Sequence, residues 1–274
     1  MTTSSSNRLE AAFARARAEK RKALVIYLTA SDPDFETSRR LLVAAARAGA
    51  DVLELGVPWS DPSADGPAIQ QAMRRALAAG GGLRSALELC KAVRREAPDV
   101  PIVLFGYANP IFVRGPDAFA GAARDAGADA VLCVDWPPDE ASELTSALKG
   151  QRIDFIPLLA PTSTPQRVKA VTAAASGFIY YVSLTGITGR TLADLEGPRK
   201  HVAEIRELTG NRLPIAVGFG IATPEQAKAV AEFADAVVVG SAAVRTIEKA
   251  KAEGRDPVPE LEKYVASLKA ALGS

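Results

Sequence analysis

Two carboxylates share the stretch LELGVPWSDPSADGP, Leu53 to Pro67: Glu54 inside an apolar run, and Asp65 eleven residues later in a polar loop. A carboxyl group centred in an apolar strand loses hydration. That favours its neutral form and raises its pKa towards the range in which an acid or base works at neutral pH. Asp65 stands just before Gly66, Pro67 and a helical pattern, where it is expected to stay hydrated and ionised. Two carboxyl groups in contrasting surroundings can divide acid and base roles between them. The competing structural readings are an Asp65 that caps the helix starting near Pro67 and a Glu54 that pairs with a buried base.

A second set of residues suits phosphate. PIAVGFGIATPEQAKAV supplies Gly218 and Gly220 after an apolar run, then Thr223 to Gln226 as a capping box with proline at the first helical position. VVVGSAAV supplies Gly240 and Ser241 in the same context. Free backbone N–H groups in such loops, aided by the positive end of a short helix, bind phosphate. The stretch SLTGITGRTLADLEG, with Gly186 and Gly189 around Ile187 and Thr188, has the composition of a lid. Other chemistries lack their residues. The single histidine, His201, lies beside Lys200 in a helical pattern, and Cys90 and Cys133 have no ligand spacing, so a His triad or a metal cluster is not expected. No Walker pattern occurs, and GFGIAT does not complete a dinucleotide fingerprint.

Eight short runs rich in Val, Ile and Leu must position these groups. They are ALVIYLTA from Ala23, DVLELG from Asp51, PIVLFGY from Pro101, AVLCVD from Ala130, DFIPLLA from Asp154, FIYYVS from Phe178, PIAVGFG from Pro214 and AVVVGS from Ala236. Continuous apolar runs suit strands covered on both faces, and helical patterns separate them. One such helix is PAIQQAMRRALAAG, with Ile69, Met73, Ala76 and Leu77 on one face. Eight βα units in 274 residues predict a single (β/α)8 TIM barrel, with a doubly wound open sheet as the alternative. RLEAAFARARAEKR precedes the first strand and is expected to form an extra N-terminal helix on the barrel floor. PELEKYVASLKAAL, with Leu261, Tyr264, Val265 and Leu268 in one stripe, is the expected last outer helix. The reading is one domain over 1–274, with 1–7 disordered. Within DVLELGV, alternation puts Val52, Glu54 and Gly56 on one face. If the larger aliphatic set meets the helices, Glu54 points into the barrel near its carboxyl-terminal mouth, where active sites of this fold lie.

Composition excludes some partners. Hydrophobic residues make up 48%, charged residues 24%, and the formal charge is +1, which gives no footprint for nucleic acid or an anionic membrane. The N-terminal MTTSSSN has no secretory pattern and no apolar run nears the ~20 residues of a membrane span, so a cytoplasmic protein is expected.

Together ELGVPWSDPSADGPAIQ, YANPIF, GITG, VGFGIATPEQ and VVVGSA resemble the tryptophan synthase α subunit family in order and spacing, over nearly the whole chain from about Leu24 to Leu268. The resemblance implies a lyase that splits indole-3-glycerol phosphate into indole and glyceraldehyde 3-phosphate. It implies no cofactor and no metal in this chain, and a β-subunit partner that carries pyridoxal phosphate in an α2β2 assembly and receives the indole. By the same resemblance Glu54 and Asp65 are the catalytic pair. Tyr180 is the tyrosine near the glutamate, and Tyr27, Ile69, Phe105 and Tyr107 wall the indole ring. Thr188 belongs to the lid, and Gly189, Gly218, Phe219, Gly220, Gly240 and Ser241 form the phosphate cradle. The loop WSDPSADGP, with YANP and DWPP, is the expected partner surface. Two alternatives remain: a catalytically silent subunit that only activates its β partner, and an isomerase or epimerase on another sugar phosphate.

Overall fold

In the computed structural model the described residues are 7–136, 141–182, 195–218 and 220–273. All eight apolar runs form strands: β1 (Ala23–Thr29), β2 (Val52–Gly56), β3 (Ile102–Gly106), β4 (Ala130–Cys133), β5 in two segments (Asp154–Phe155 and Leu158–Leu159), β6 (Ile179–Val182), β7 (Ile215–Gly218) and β8 (Ala236–Val239). Every pairing is parallel, and β1 lies between β2 and β8. The first segment of β5 pairs with β4 and the second with β6. Pro157, which has no N–H to donate, divides the two segments. The ladder runs through this gap, since the Ile156 N–H donates to the Val131 carbonyl at 2.9 Å and the Tyr180 N–H to the Pro157 carbonyl at 3.0 Å. One strand therefore joins both sheet ends, and the barrel is closed. The open-sheet alternative is excluded.

Alternation along the strands sorts side chains into two layers. Ala23, Val25, Val52, Val103, Ala130, Leu132, Ala216 and Val238 fill the interior, while Leu24, Ile26, Leu53, Leu55, Leu104 and Val131 face the surrounding helices. Burying each large aliphatic side chain contributes about 1.5–3 kcal/mol. Helix α1 (Arg8–Ala18) closes the floor as expected, sending Leu9, Phe13 and Ala16 into the interior cluster, with the Phe13 ring 5.6 Å from that of Phe178. Asn7, at the edge of the segment expected to be disordered, caps this helix by accepting the Leu9 N–H at 3.0 Å.

A repeated device fixes strand register at the floor. Asp51, Asp129 and Asp235 each precede a strand, and each carboxylate accepts a backbone N–H from the neighbouring strand, at Leu24, Ile102 and Ile215 respectively, at 2.8–2.9 Å. Cations neutralise them: Arg21 and Lys269 on Asp51, Arg94 and Arg8 on Asp129, and Arg206 on Asp235.

The outer helices include α2 (Phe35–Arg47), α3 (Pro67–Ala78), α4 (Leu83–Glu96), α5 (Ala108–Arg114), α6 (Pro116–Ala126), α7 (Ala141–Gly150), α8 (Pro165–Ala173), α9 (Glu196–Leu208), α10 (Pro224–Ala231), α11 (Ser241–Ala252) and α12 (Pro257–Leu272). In α12, Leu261, Val265 and Leu268 are buried as expected, while Tyr264 is half-buried and donates its hydroxyl to the Ala222 carbonyl at 3.0 Å. In α3 the fully buried residues are Ala72, Met73 and Ala76, whereas Ile69 and Leu77 are only half-buried. Helix α3 packs on α11 and β1, so its buried stripe is the one that meets those two elements.

Candidate active site

The pairing of β1 with β2 sets Tyr27 beside Glu54, and β3 continues the row with Val103 and Phe105. Glu54 is completely buried, and neither carboxyl oxygen has a hydrogen-bond partner among the described residues. Among the described residues no base pairs with Glu54, so none of them supports the salt-bridge reading. Burial alone pushes its carboxyl from an ordinary 4.5 up to about 8, so at neutral pH it holds a proton.

Aromatic rings surround this carboxyl at the mouth. Tyr27 and Phe105 meet edge to face at 5.2 Å, and Phe105 and Tyr180 at 6.4 Å. Both tyrosine hydroxyls are held well above their usual range, chiefly by burial and further by the nearby charges of Glu54 and Asp65. Two glycines make room for them. A Cβ on Gly56 would lie 2.1 Å from the Tyr27 hydroxyl, and one on Gly218 would lie 2.5 Å from the Tyr180 hydroxyl. At Gly218 the requirement is thus space for Tyr180, a reason the phosphate argument does not supply.

Asp65 differs from expectation in its surroundings. It is half-buried instead of hydrated, and its pKa is raised, desolvation outweighing the hydrogen bond from Tyr107 that lowers it. The Tyr107 hydroxyl donates to Asp65 Oδ2 at 2.6 Å and accepts the Ala64 N–H at 3.1 Å. Gln70 completes the tether, donating to the Asp65 carbonyl at 2.8 Å. Asp65 does not cap α3, whose N-cap is Gly66 with no side-chain bond. Tyr107 is almost fully buried at 2% exposure, which makes it an anchor of the loop. Ile69 is half-buried on the first turn of α3.

At the opposite rim Gly220 is exposed with a positive φ of 65°, and Gly240 is the N-cap of α11, which starts at Ser241 without a side-chain cap. Thr223 and Gln226 form the predicted capping box at α10, each side chain taking the other's backbone N–H, at 3.3 and 3.2 Å. Thr188 and Gly189 of the expected lid, and Phe219 of the cradle, lie outside the described residues. The structure thus gathers Glu54, Tyr27, Phe105, Tyr180 and Asp65 at the mouth, with Gly218, Gly220, Gly240 and Ser241 at the ends of β7 and β8. Sequence reasoning missed the tether function of Tyr107 and Gln70, because nothing in YANP or AIQQ signals a bond to Asp65.

The described residues include no group of three or more His, Cys, Asp or Glu able to hold a metal ion. Cys90 and Cys133 are buried free thiols, and burial pushes Cys90 up to about 12, consistent with inert filling. A cleft of about 1140 Å3 lies at the floor among Asn7, Arg8, Asp129 and Asp154, away from both carboxylates.

The family model described as the tryptophan synthase alpha chain matches residues 13–273. This chain belongs to the tryptophan synthase alpha chain family. An alpha chain from Zymomonas mobilis is 45% identical over 97% of this chain and 96% of its own length, and one from Burkholderia thailandensis is 47% identical over 97% of each. Among solved structures, the alpha subunit from Legionella pneumophila str. Paris superposes with a TM-score of 0.91 at 37% identity, covering 98% of this chain and 99% of its own. A chain of Mycobacterium tuberculosis tryptophan synthase gives 0.88 at 33% identity, with 98% and 99% covered. As a tryptophan synthase alpha chain, this protein is the carbon–carbon lyase subunit of tryptophan biosynthesis that cleaves indole-3-glycerol phosphate to indole and glyceraldehyde 3-phosphate. An alpha chain works with a beta-subunit partner, and pyridoxal phosphate is not bound by the alpha chain.

Proposed function

We propose that Glu54 is the proton carrier of the cleavage and Asp65 the counter-charge. Breaking the bond from indole C3 to the glycerol chain needs a proton on C3, removal of a proton from the hydroxyl on the adjacent carbon, and stabilisation of the cation that forms on the indole ring. Glu54, protonated at neutral pH, gives its proton to C3 and as a carboxylate takes the hydroxyl proton. The electrons of the O–H bond then form the aldehyde, and those of the broken C–C bond return to the ring. Proton transfer by a positioned group is worth ~10²–10⁴ in rate. Asp65, whose ionised form is stabilised by the Tyr107 hydroxyl, accepts the indole N–H. The apolar and aromatic surroundings of Tyr27, Phe105, Tyr180 and Ile69 suit the flat ring. Gly218, Gly220, Gly240 and Ser241, with the uncapped start of α11, suit the phosphate.

The observation that carries this reading is a fully buried carboxyl group with neither oxygen partnered among the described residues, an arrangement a binding-only subunit has no use for. The experiment is indole release from indole-3-glycerol phosphate by the wild-type chain and by Glu54→Gln, with and without a beta subunit. Loss of turnover in a folded variant is expected, and retained turnover removes Glu54 from the mechanism.

The same reading extends to assembly. The chain acts as one domain over 1–274, in the cytoplasm, in an α2β2 complex whose pyridoxal phosphate sits in the beta subunit. Exposed Phe112 and Val113, 71% and 79% accessible on α5 directly after YANP, support the mouth side as the docking edge, since large apolar residues grouped on a surface mark partner contacts.

A further inference from the structure

An ion-pair group on the barrel rim takes no part in the chemistry above. Helix α3 starts two residues beyond Asp65, and α11 starts at Ser241 beside Gly240. In the reading just given, these two helices carry the indole end and the phosphate end of the substrate site. They pack on each other and on β1, and Arg75 of α3 lies at that junction. Its Nε and Nη2 donate to the two carboxylate oxygens of Asp32 at 2.8 and 3.0 Å, and its Nη1 donates to Glu248 of α11 at 3.1 Å. Asp32, in the loop after β1, is buried at 4% exposure. That loop is itself fixed: Ser31 adopts a positive φ of 63°, its N–H donates to Ser38 Oγ at 3.2 Å, and the Asp32 N–H donates to the Thr29 carbonyl at 3.3 Å. A guanidinium can hold one carboxylate with two parallel bonds and still reach a second partner, which a lysine cannot reproduce.

We propose that Arg75, anchored by Asp32, is a positioning residue that locks α3 to α11 and so sets the distance between the indole and phosphate ends of the site. This rests on the substrate reading above. The consequence is specific: a ligand that spans both ends profits from a correctly set distance, whereas a ligand that fills one end does not sense it.

The probes are a non-cleavable ligand with indole joined through three carbons to a phosphate, indole alone, and inorganic phosphate, each measured by calorimetry or competition. Arg75→Met alone would strand the buried Asp32 carboxylate and risk the fold. The test variants are therefore Arg75→Lys, which keeps a cation there, and Asp32→Asn with Arg75→Met, which removes both charges together. In both variants the joined ligand is expected to bind at least tenfold more weakly, while indole and inorganic phosphate stay within twofold of wild type. Unchanged affinity for the joined ligand, or a loss shared equally by the fragments, would overturn the proposal. A wild-type chain that binds the joined ligand no better than its fragments would overturn the substrate reading, and the proposal with it.

Discussion

Replacing Glu54 by glutamine should change the pH dependence of folding stability, and the size of the change follows from burial. In the folded chain the Glu54 carboxyl titrates near 8, against 4.5 for an exposed glutamate. A folded-state pKa above the unfolded one makes a contribution that is fully present below the unfolded value and is lost as pH rises through the folded value. At 1.36 kcal/mol per pH unit, the gap corresponds to about 5 kcal/mol over the whole titration, of which roughly 3 kcal/mol falls between about pH 5 and pH 8. Glutamine has nearly the same shape and no titration. Its own cost, an amide buried without partners at ~1–3 kcal/mol, is independent of pH. Urea unfolding of both proteins at several pH values gives the difference in stability at each, and groups common to both cancel. The variant should gain roughly 3 kcal/mol on wild type between about pH 5 and pH 8. A difference that stays constant within ~0.5 kcal/mol, the usual additivity error, would show that Glu54 is ionised in the folded chain, and the proton-carrier role would fall with it.

Other outcomes follow from the same geometry. In the pH–rate profile of kcat/KM for indole release, an alkaline limb is expected near pH 8, where Glu54 loses its proton. Tyr107→Phe removes the hydrogen bond that lowers the Asp65 pKa, so the acid limb of the same profile should move to higher pH, with kcat/KM falling about tenfold for the loss of one charge-assisted bond. Gly56→Ala puts a Cβ 2.1 Å from the Tyr27 hydroxyl; the displaced ring should lower indole release while far-UV circular dichroism stays native. Asp129→Ala removes the counter-charge of the mostly buried Arg94, which keeps only backbone carbonyl acceptors, and the carboxylate that accepts the Ile102 N–H, so urea unfolding should report a loss of about 3 kcal/mol, with kcat of the folded fraction unchanged.

The barrel was legible because its signals are local and repeated. Eight aliphatic runs, each bounded by polar or glycine-containing turns, gave all eight strands, and the alternation in DVLELGV put Glu54 on the inner face. The interruption of β5 at Pro157 was present in DFIPLLA, although its consequence for pairing depends on both neighbours. Asp65 was harder to read. Its local sequence resembles a helix start, yet its environment is set by Tyr107, 42 residues away, and no local pattern encodes that encounter. The floor carboxylates Asp51, Asp129 and Asp235 likewise follow small residues in similar contexts, but only the closed barrel brings their arginines to them.

The two carboxylates are held differently, in the way the proposed division into proton carrier and counter-charge calls for. Glu54 sits on a strand of the closed barrel, inside a row of aromatic rings, and among the described residues no donor stabilises its charge; its acidity is set by burial, which favours the protonated form that the proposed role needs. Asp65 sits on a loop, where a tyrosine hydroxyl and a glutamine amide fix both its carboxylate and its backbone. A donor to the charged form offsets part of the burial cost that raises its pKa. Exchanging the two environments would work against both proposed roles: a hydrogen-bonded Glu54 would give up its proton more readily, and an unpartnered Asp65 would lose the donor that favours its charged form. The positions of Gly56 and Gly218 follow from the same arrangement, since the aromatic walls that desolvate Glu54 fit only where the facing strands carry no side chain.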